Sequence, residues 1–233
     1  MFENHEFRRV ICGNCGHIAD VPVYCGDRFC SVCSGPRRRR LIERLGAIIR
    51  AVPPKRSFKW RFITLTIPTS DDPGAALDIL YKSFRRLRNR DFWKRNVEGG
   101  FSGAEITRSN GRWHVHIHVV AFARYIPQHD LVKLWKSVSP GKIVDIRLLP
   151  ETTAVHYITK YITKQNLPEE YRASASAALS NRRLYTSFGV CHNIRVFTKK
   201  ADFPCPCCRQ SDWILLRDLS NPAIPEMLFS SPG

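Results

Sequence analysis

Three histidines, His114, His116 and His118, recur at every second residue in W-H-V-H-I-H-V-V, residues 113 to 120. At that period the imidazoles share one face of a strand, and Val115, Ile117 and Val119 take the other. A second apolar run covers residues 101 to 107, and Asn110-Gly111 stands between the two. Both residues of that dipeptide tolerate positive φ, which a two-residue hairpin turn requires. The register then follows: Ser109 faces Arg112, Thr107 faces His114 and Glu105 faces His116. Directly opposed side chains have Cβ atoms about 5 Å apart, so a carboxylate meets imidazoles on one surface. A single strand histidine is usually packed or solvated; three in alternation opposite a glutamate point to a metal. Imidazole and carboxylate without thiolate suit a divalent ion that keeps positions open for oxygen ligands such as phosphate. The expected ligands are Glu105, His116 and His118, with His114 as an alternative ligand or a supporting residue.

A second chemical feature is the stretch T-T-A-V-H-Y-I-T-K-Y-I-T-K-Q, residues 152 to 165, which predicts a helix. Tyr157, Lys160, Tyr161 and Lys164 stack on one face at i, i+3, i+4 and i+7. Val155, Ile158 and Ile162 lie opposite and anchor the helix to a sheet. Helical tyrosines are more often packing residues, but here other side chains supply the apolar stripe.

The nine cysteines form the third feature. Cys12-x-x-Cys15 and Cys30-x-x-Cys33 have the spacing of a structural zinc ribbon, with Cys25 or His17 able to replace one of the four. A third pair, Cys205 with Cys208, is a candidate for a second zinc site with Cys191, His192 or Cys25. With no secretion signal, these cysteines read as metal ligands in a reducing compartment, and a cytoplasmic location is expected.

The elements that must position these groups follow from the remaining pattern. Trp60 to Ile67 reads as a buried strand with Thr64 and Thr66 on one face. A helix is expected from about Pro73 to Arg95, capped within Pro68-Thr69-Ser70-Asp71, and a shorter one over 128–137. Strands are expected over 142–149 and 193–198. The length allows one full domain with small appendages, divided as 1–55, 56–200 and 201–233, with Pro53-Pro54 at the first boundary.

Lys and Arg number 37 against 20 Asp and Glu, a formal charge of +17. Such a field attracts polyanions, nucleic acid above all. Arg37, Arg38, Arg39 and Arg40, just before a helix expected over 41–50, are candidate phosphate contacts, as are Arg182 and Arg183 in the loop 181–187. No apolar run approaches the length of a membrane span, so a membrane partner is not expected.

Taken in order, these features resemble the HUH endonucleases, specifically the rolling-circle replication initiators of small plasmids and single-stranded DNA phages. Phe62-Ile63-Thr64-Leu65-Thr66 matches the family's first motif and His116-Ile117-His118 its second. Tyr161-Ile162-Thr163-Lys164 matches the third, and Tyr157-Ile158-Thr159-Lys160 repeats it. Cys25-x4-Cys30-x2-Cys33, followed by arginines, is similar to the zinc segment of plasmid initiators.

The resemblance implies an α+β fold: a central antiparallel sheet of about five strands with flanking helices, plus an N-terminal zinc-binding segment. It also implies strand transfer on single-stranded DNA at a replication origin. Tyr161 or Tyr157 attacks a phosphodiester held by Mg2+ or Mn2+, Lys160 and Lys164 assist, and a 5′-phosphotyrosine and free 3′-OH result. Phenol is a weak nucleophile, with a reference pKa of about 10, so nearby cations must favour its ionised form. No G-x-x-x-x-G-K-[ST] motif occurs, so unwinding is expected from a host helicase and extension from a host polymerase. Two other readings remain open: a two-tyrosine transposase of an insertion sequence, and a non-enzymatic zinc-binding nucleic-acid module.

Overall fold

Runs of alternating apolar residues pair as strands, and the amphipathic segments between them cover the sheet as helices. The structure, a computed structural model, describes residues 5–162, 167–192, 194–196 and 204–216. In chain order the elements are β1 (Phe7–Cys12), β2 (Ile18–Pro22), α1 (Ser31–Ala51), β3 (Lys59–Thr66), α2 (Pro73–Arg88) and α3 (Asp91–Asn96). They continue with β4 (Val97–Ser109), β5 (Arg112–Ala123), α4 (Gln128–Val138), β6 (Ile143–Leu148), α5 (Glu151–Ile162), α6 (Glu169–Leu179), β7 (Thr186–Gly189) and β8 (Trp213–Leu215).

The chain divides into two compact units, residues 26–198 and a second formed by residues 1–25 with 199–233. The division at 1–55, 56–200 and 201–233 is therefore redrawn: the two chain ends share a sheet, because β8 pairs with β1. That sheet has the order β2-β1-β8 and is antiparallel.

The larger unit is α+β. Its five-stranded antiparallel sheet has the order β6-β3-β5-β4-β7. Side-chain alternation sorts residues to the two faces. Ile63, Leu65, Val115, Ile117 and Val119 join the core beneath α2, α4 and α6, with Leu77, Leu80, Leu131, Trp135 and Leu179. Trp60, Phe62, Phe101, Val120 and Phe122 join the core beneath α1 and α5, with Leu45, Ile48, Ala154, Val155 and Ile158.

Several boundaries differ from those read in the sequence. Helix α2 is capped by Asp72, whose side chain accepts from the N–H groups of Gly74 (2.7 Å) and Ala75 (3.2 Å), with Pro73 at the first position. It stops at Arg88, and the remaining turn becomes α3. Helix α1 begins at Ser31, well before the expected Leu41. That extension puts Arg37 in line with Cys33 and Leu41 on the buried stripe. Helix α6 and strand β7 were not foreseen; α6 is alanine-rich, with little apolar stripe to read. Residues 194–196 carry no regular structure, and the rest of the strand expected over 193–198 lies outside the described residues.

The β4–β5 ladder has the register that the turn demands: Ser109 opposite Arg112, Thr107 opposite His114 and Glu105 opposite His116. Asn110 and Gly111 adopt φ of 51° and 73°. A side chain at Gly111 would incur the left-handed penalty, so Gly111→Ala should lose about 1–2 kcal/mol of stability. Denaturant unfolding measures this, and an unchanged midpoint would show that the turn does not hold the ladder.

Candidate active site

The site occupies the polar end of the face that α1 and α5 cover elsewhere. Along β5 this face runs from Phe122 and Val120, both in the core, to His118, His116 and His114. Along β3 it runs from Trp60 and Phe62 to Thr64 and Thr66. Opposed pairs across these strands are Thr64 with His118 and Thr66 with His116. Each threonine hydroxyl meets the imidazole opposite it: Thr64 Oγ1 lies 3.1 Å from His118 Nδ1, and Thr66 Oγ1 lies 2.9 Å from His116 Nδ1. Both rings are thus held by Nδ1, leaving Nε2 as the nitrogen for other chemistry.

Glu105 stands opposite His116 in register, yet its carboxylate reaches the diagonal neighbour: His118 Nε2 lies 2.7 Å from Glu105 Oε2. Both side chains are buried, at 4% and 8% exposure for the two residues. A buried carboxylate without partners would cost several kcal/mol, and here the imidazole N–H satisfies one of its two oxygens. This assigns donation from Thr64 to Nδ1 in the neutral ring. Because a hydroxyl can donate or accept, Thr64 can equally receive a proton from Nδ1, which frees the Nε2 lone pair. His116 lies beside the pair, its ring centroid 6.3 Å from that of His118. The ligand atoms of Glu105, His116 and His118 are not all within 4.8 Å of one another. His114, half-buried, is one strand repeat further along the same face, opposite Thr107.

Helix α5 docks through Ala154, Val155, Ile158 and Thr159, all buried. This leaves Tyr157, His156 and Lys160 exposed and brings Tyr161 over the sheet. The Tyr161 ring stacks on His118 with centroids 4.0 Å apart and on Phe62 at 5.1 Å. Tyr157 meets the same Phe62 edge-on at 5.5 Å. Lys160 Nζ lies 5.7 Å from the Tyr161 ring centre. Lys164 and the backbone of residues 163–166 lie outside the described residues, as does the side chain of Ile162.

The smaller unit gathers thiols in a pairing that local spacing did not reveal. Cys12 Sγ lies 3.6 Å from Cys208 Sγ, and Cys15 Sγ lies 3.6 Å from Cys205 Sγ. All four sulfurs fall within 4.8 Å of one another. Tetrahedral zinc with Zn–S bonds of about 2.3 Å puts its sulfurs about 3.8 Å apart, so the quartet has the right span. The two knuckles are built alike. Gly16 N–H donates to Cys12 O (2.8 Å) and Cys12 N–H to His17 O (2.8 Å). Arg209 N–H donates to Cys205 O (2.9 Å) and Cys205 N–H to Gln210 O (2.7 Å). Gly16 and Arg209 both have positive φ. The backbone N–H of Gln210, then the Asn14 side chain, pulls the Cys208 thiol down to about 6, which favours its thiolate form.

Cys30 caps α1, its sulfur accepting from Cys33 N–H at 3.4 Å. Cys33 is buried, while Cys25 and Cys207 are exposed. Cys191 is a core thiol, 1% exposed, pushed up to about 12 by burial, and it packs with the residues beneath α1 and α5. His192 is exposed, its Nδ1 3.3 Å from Ser187 Oγ. Arg37 is buried and its guanidinium donates to the carbonyls of Arg28 and Asp27, so it builds the loop before α1 instead of facing a ligand. Arg38, Arg39 and Arg40 are exposed. Arg182 is half-committed to structure through Asp78 Oδ1 (2.8 Å) and Ala178 O (2.8 Å), and Arg183 is exposed. No helix among the described residues is long and apolar enough to cross a membrane.

Comparison with known proteins adds independent findings. A family model described as Replication protein matches residues 19–212. A curated relative, Protein rep of Streptococcus pneumoniae serotype 2 (strain D39 / NCTC 7466), is 26% identical over 147 residues. The match covers 55% of this chain and 46% of that relative, so less than half of the relative's length is represented. No solved structure matches.

The two threonine hydroxyls provide a test of the site's geometry that does not depend on activity. Changing Thr64 and Thr66 together to valine keeps their shape and releases both Nδ1 atoms. Ring-nitrogen NMR should then report altered tautomer populations for His116 and His118. Spectra identical to the parent protein would mean that the hydroxyls do not hold the rings.

Proposed function

Because this chain belongs to the replication protein family, matched over residues 19–212, we propose that it initiates rolling-circle replication by nicking one DNA strand at an origin. The observation that carries the proposal is the stacking of Tyr161 on His118, which itself pairs with Glu105. An isolated metal-binding hairpin would not need a phenol on the imidazole, and a packing tyrosine would not need a buried acid beyond it.

In this reading Tyr161 is the primary nucleophile. Its oxygen forms a bond to the phosphorus of a phosphodiester, the bond from phosphorus to the 3′ oxygen breaks, and that oxygen leaves with a proton. The products are a 5′-phosphotyrosine and a free 3′-OH, so the bond energy is retained and rejoining is the same step reversed. Lys160, 5.7 Å from the Tyr161 ring centre, offers its charge to the reacting phosphate, and Lys164 is assigned the same role by its spacing. Tyr157, one turn earlier and against the same Phe62, serves as the second nucleophile that ends a round.

By donor chemistry, Glu105, His116 and His118 suit a divalent ion such as Mg2+ or Mn2+. Their donor set is nitrogen and carboxylate oxygen, and Thr64 and Thr66 hold each ring by the opposite nitrogen. Bound there, the ion would supply Lewis-acid polarisation and orientation of the phosphate. His114 supports this set from the next position on the strand. The exposed Arg38, Arg39 and Arg40 hold the DNA backbone, and the product 3′ end passes to a host polymerase.

Zinc is the ion that suits the four thiols of Cys12, Cys15, Cys205 and Cys208. A three-stranded sheet this small has little core, and the metal would provide much of its folding free energy. The run Cys25-x4-Cys30-x2-Cys33 offers ligands for a second zinc by its spacing. Metal analysis of protein purified without added zinc should find tightly bound zinc, and the Cys205→Ser/Cys208→Ser variant should lose one equivalent. A variant that keeps the full zinc content would remove the quartet as a site.

Covalent capture on labelled single-stranded DNA with Mn2+ tests the nicking reaction. His116→Ala should abolish the adduct while leaving DNA affinity within about threefold, since arginines supply most of the binding. Tyr161→Phe should cut adduct formation by more than about tenfold, roughly the 1.4 kcal/mol step or greater that loss of a nucleophile entails. Adduct that vanishes only in the Tyr157→Phe/Tyr161→Phe double variant would make the two tyrosines equal. Full adduct in that double variant would end the proposal.

A further inference from the structure

On the sheet face away from the histidines lies a cavity of about 560 Å3 with five cationic side chains and one carboxylate in its lining. Helix α2 contributes Asp78, Lys82, Arg85 and Arg88 at helical spacing, and the turn after α6 contributes Arg182 and Arg183. Its floor includes Ser102 of β4 and Thr186 of β7, which are opposed in register and joined by a hydroxyl–hydroxyl hydrogen bond of 2.8 Å. Ser102 alternates with Phe101 and Gly103, so it points to the side opposite Glu105. Asp78 is already bound by Arg182 at 2.8 Å, which leaves the rest of the cations without a carboxylate in the cavity.

Arg88 is the residue that most needs explaining. Its guanidinium is half-buried against two rings, 5.4 Å from the centre of Phe84 and 5.2 Å from that of Phe188. Its Nε is buried and makes no hydrogen bond among the described residues. Burial, and then the nearby charge of Arg85, pulls the guanidinium below its usual pKa. Burying a cation without an anion is costly, and buried polar atoms lacking partners mark places where a ligand, ion or water completes the structure. Two rings supply part of the compensation, as cations stack favourably on aromatic faces. They offer no acceptor for the Nε–H.

We propose that this cavity is a phosphate-binding site that holds the backbone of the DNA strand away from the candidate nicking residues. Guanidinium groups match phosphate oxygens in a two-point fork, and the hydroxyl pair of Ser102 and Thr186 keeps one O–H to donate at the floor. Lys82, Arg85 and Arg183 are exposed at the rim, so a continuous strand can run across it with one phosphate seated. The site reads no base, and its contribution is to affinity and strand path. The inference rests on the reading that DNA is the substrate, but not on which tyrosine cuts it.

The test is binding of a long oligothymidylate across a range of salt. Lys82→Ala/Arg85→Ala/Arg183→Ala is compared with Lys94→Ala/Lys133→Ala/Lys142→Ala, which removes the same charge from exposed positions outside the cavity. The slope of log affinity against log salt should shrink by about 2 in the first variant, at roughly 0.7 per lost phosphate contact. It should change by less than half as much in the second. Equal slopes in the two variants would overturn the proposal, since net charge alone would then explain the effect. Thymidine monophosphate distinguishes the other source of phosphate. Saturable binding of the monophosphate that the first variant loses, with no change on the oligonucleotide, would assign the cavity to free nucleotides and overturn the strand reading. Arg88→Met adds a second readout: weaker oligonucleotide binding with thermal stability kept supports a guanidinium retained for a ligand. Unfolding of that variant with the salt slope of the rim variant unchanged overturns it. Adduct formation is scored separately, so a protein that binds this way without cutting would fail the proposed function and keep this site.

Discussion

The antiparallel ladder between β4 and β5 is the constraint on which the candidate site depends. Side chains alternate with a period of two, so a slip of one residue would send the histidines into the core and Val115, Ile117 and Val119 into their place. The turn at Asn110-Gly111 prevents that slip at one end through positive φ at both residues. Near the other end the ladder makes a register shift between Val97 and Gly99, and Gly100 follows. A Cβ at Gly100 would lie 2.2 Å from Val120 O, so only glycine permits the strands to approach there. With both ends set, Glu105 stands opposite His116 in register and its carboxylate reaches the diagonal His118.

The same sheet face performs two tasks along its length. One end is apolar, and there Trp60, Phe62, Phe101, Val120 and Phe122 bind α1 and α5. The other end is polar, and there Thr64, Thr66, His116 and His118 form a hydrogen-bonded row. The change falls at the stack of Phe62, His118 and Tyr161. Burial of Ala154, Val155 and Ile158 fixes the rotation of α5, and that rotation delivers Tyr161 to the boundary between the two regions. The apolar core thus sets where the phenol stands, and the polar row sets what it meets.

Charge and thiol chemistry were less readable than the hairpin, for a common reason. Arg37 to Arg40 form one run in the sequence, but a helix separates neighbours by about 100°. Once α1 starts at Ser31, Arg37 falls in line with Cys33 and Leu41, and carbonyls of the preceding loop receive its guanidinium. Arg182 likewise serves α2 through Asp78, while still lining the basic cavity. A count of arginines cannot separate those that hold the protein from those left for a polyanion.

What the sequence determined by itself was local: the hairpin, its register, the shared face of three histidines, the face of α5 that bears tyrosine, and the family motifs in order. Each rests on periods of 2 or 3.6 residues and on turn chemistry, which act over a few positions. Tertiary structure decided the rest. It chose His118 as the contact of Glu105, because side-chain reach across a twisted sheet favours the diagonal. It joined Cys12 and Cys15 to Cys205 and Cys208, which lie 190 or more residues apart in the pairs observed. A C-x-x-C spacing announces one half of a site, but the other half is chosen by chain closure, here by β8 pairing with β1, and no local pattern encodes that choice.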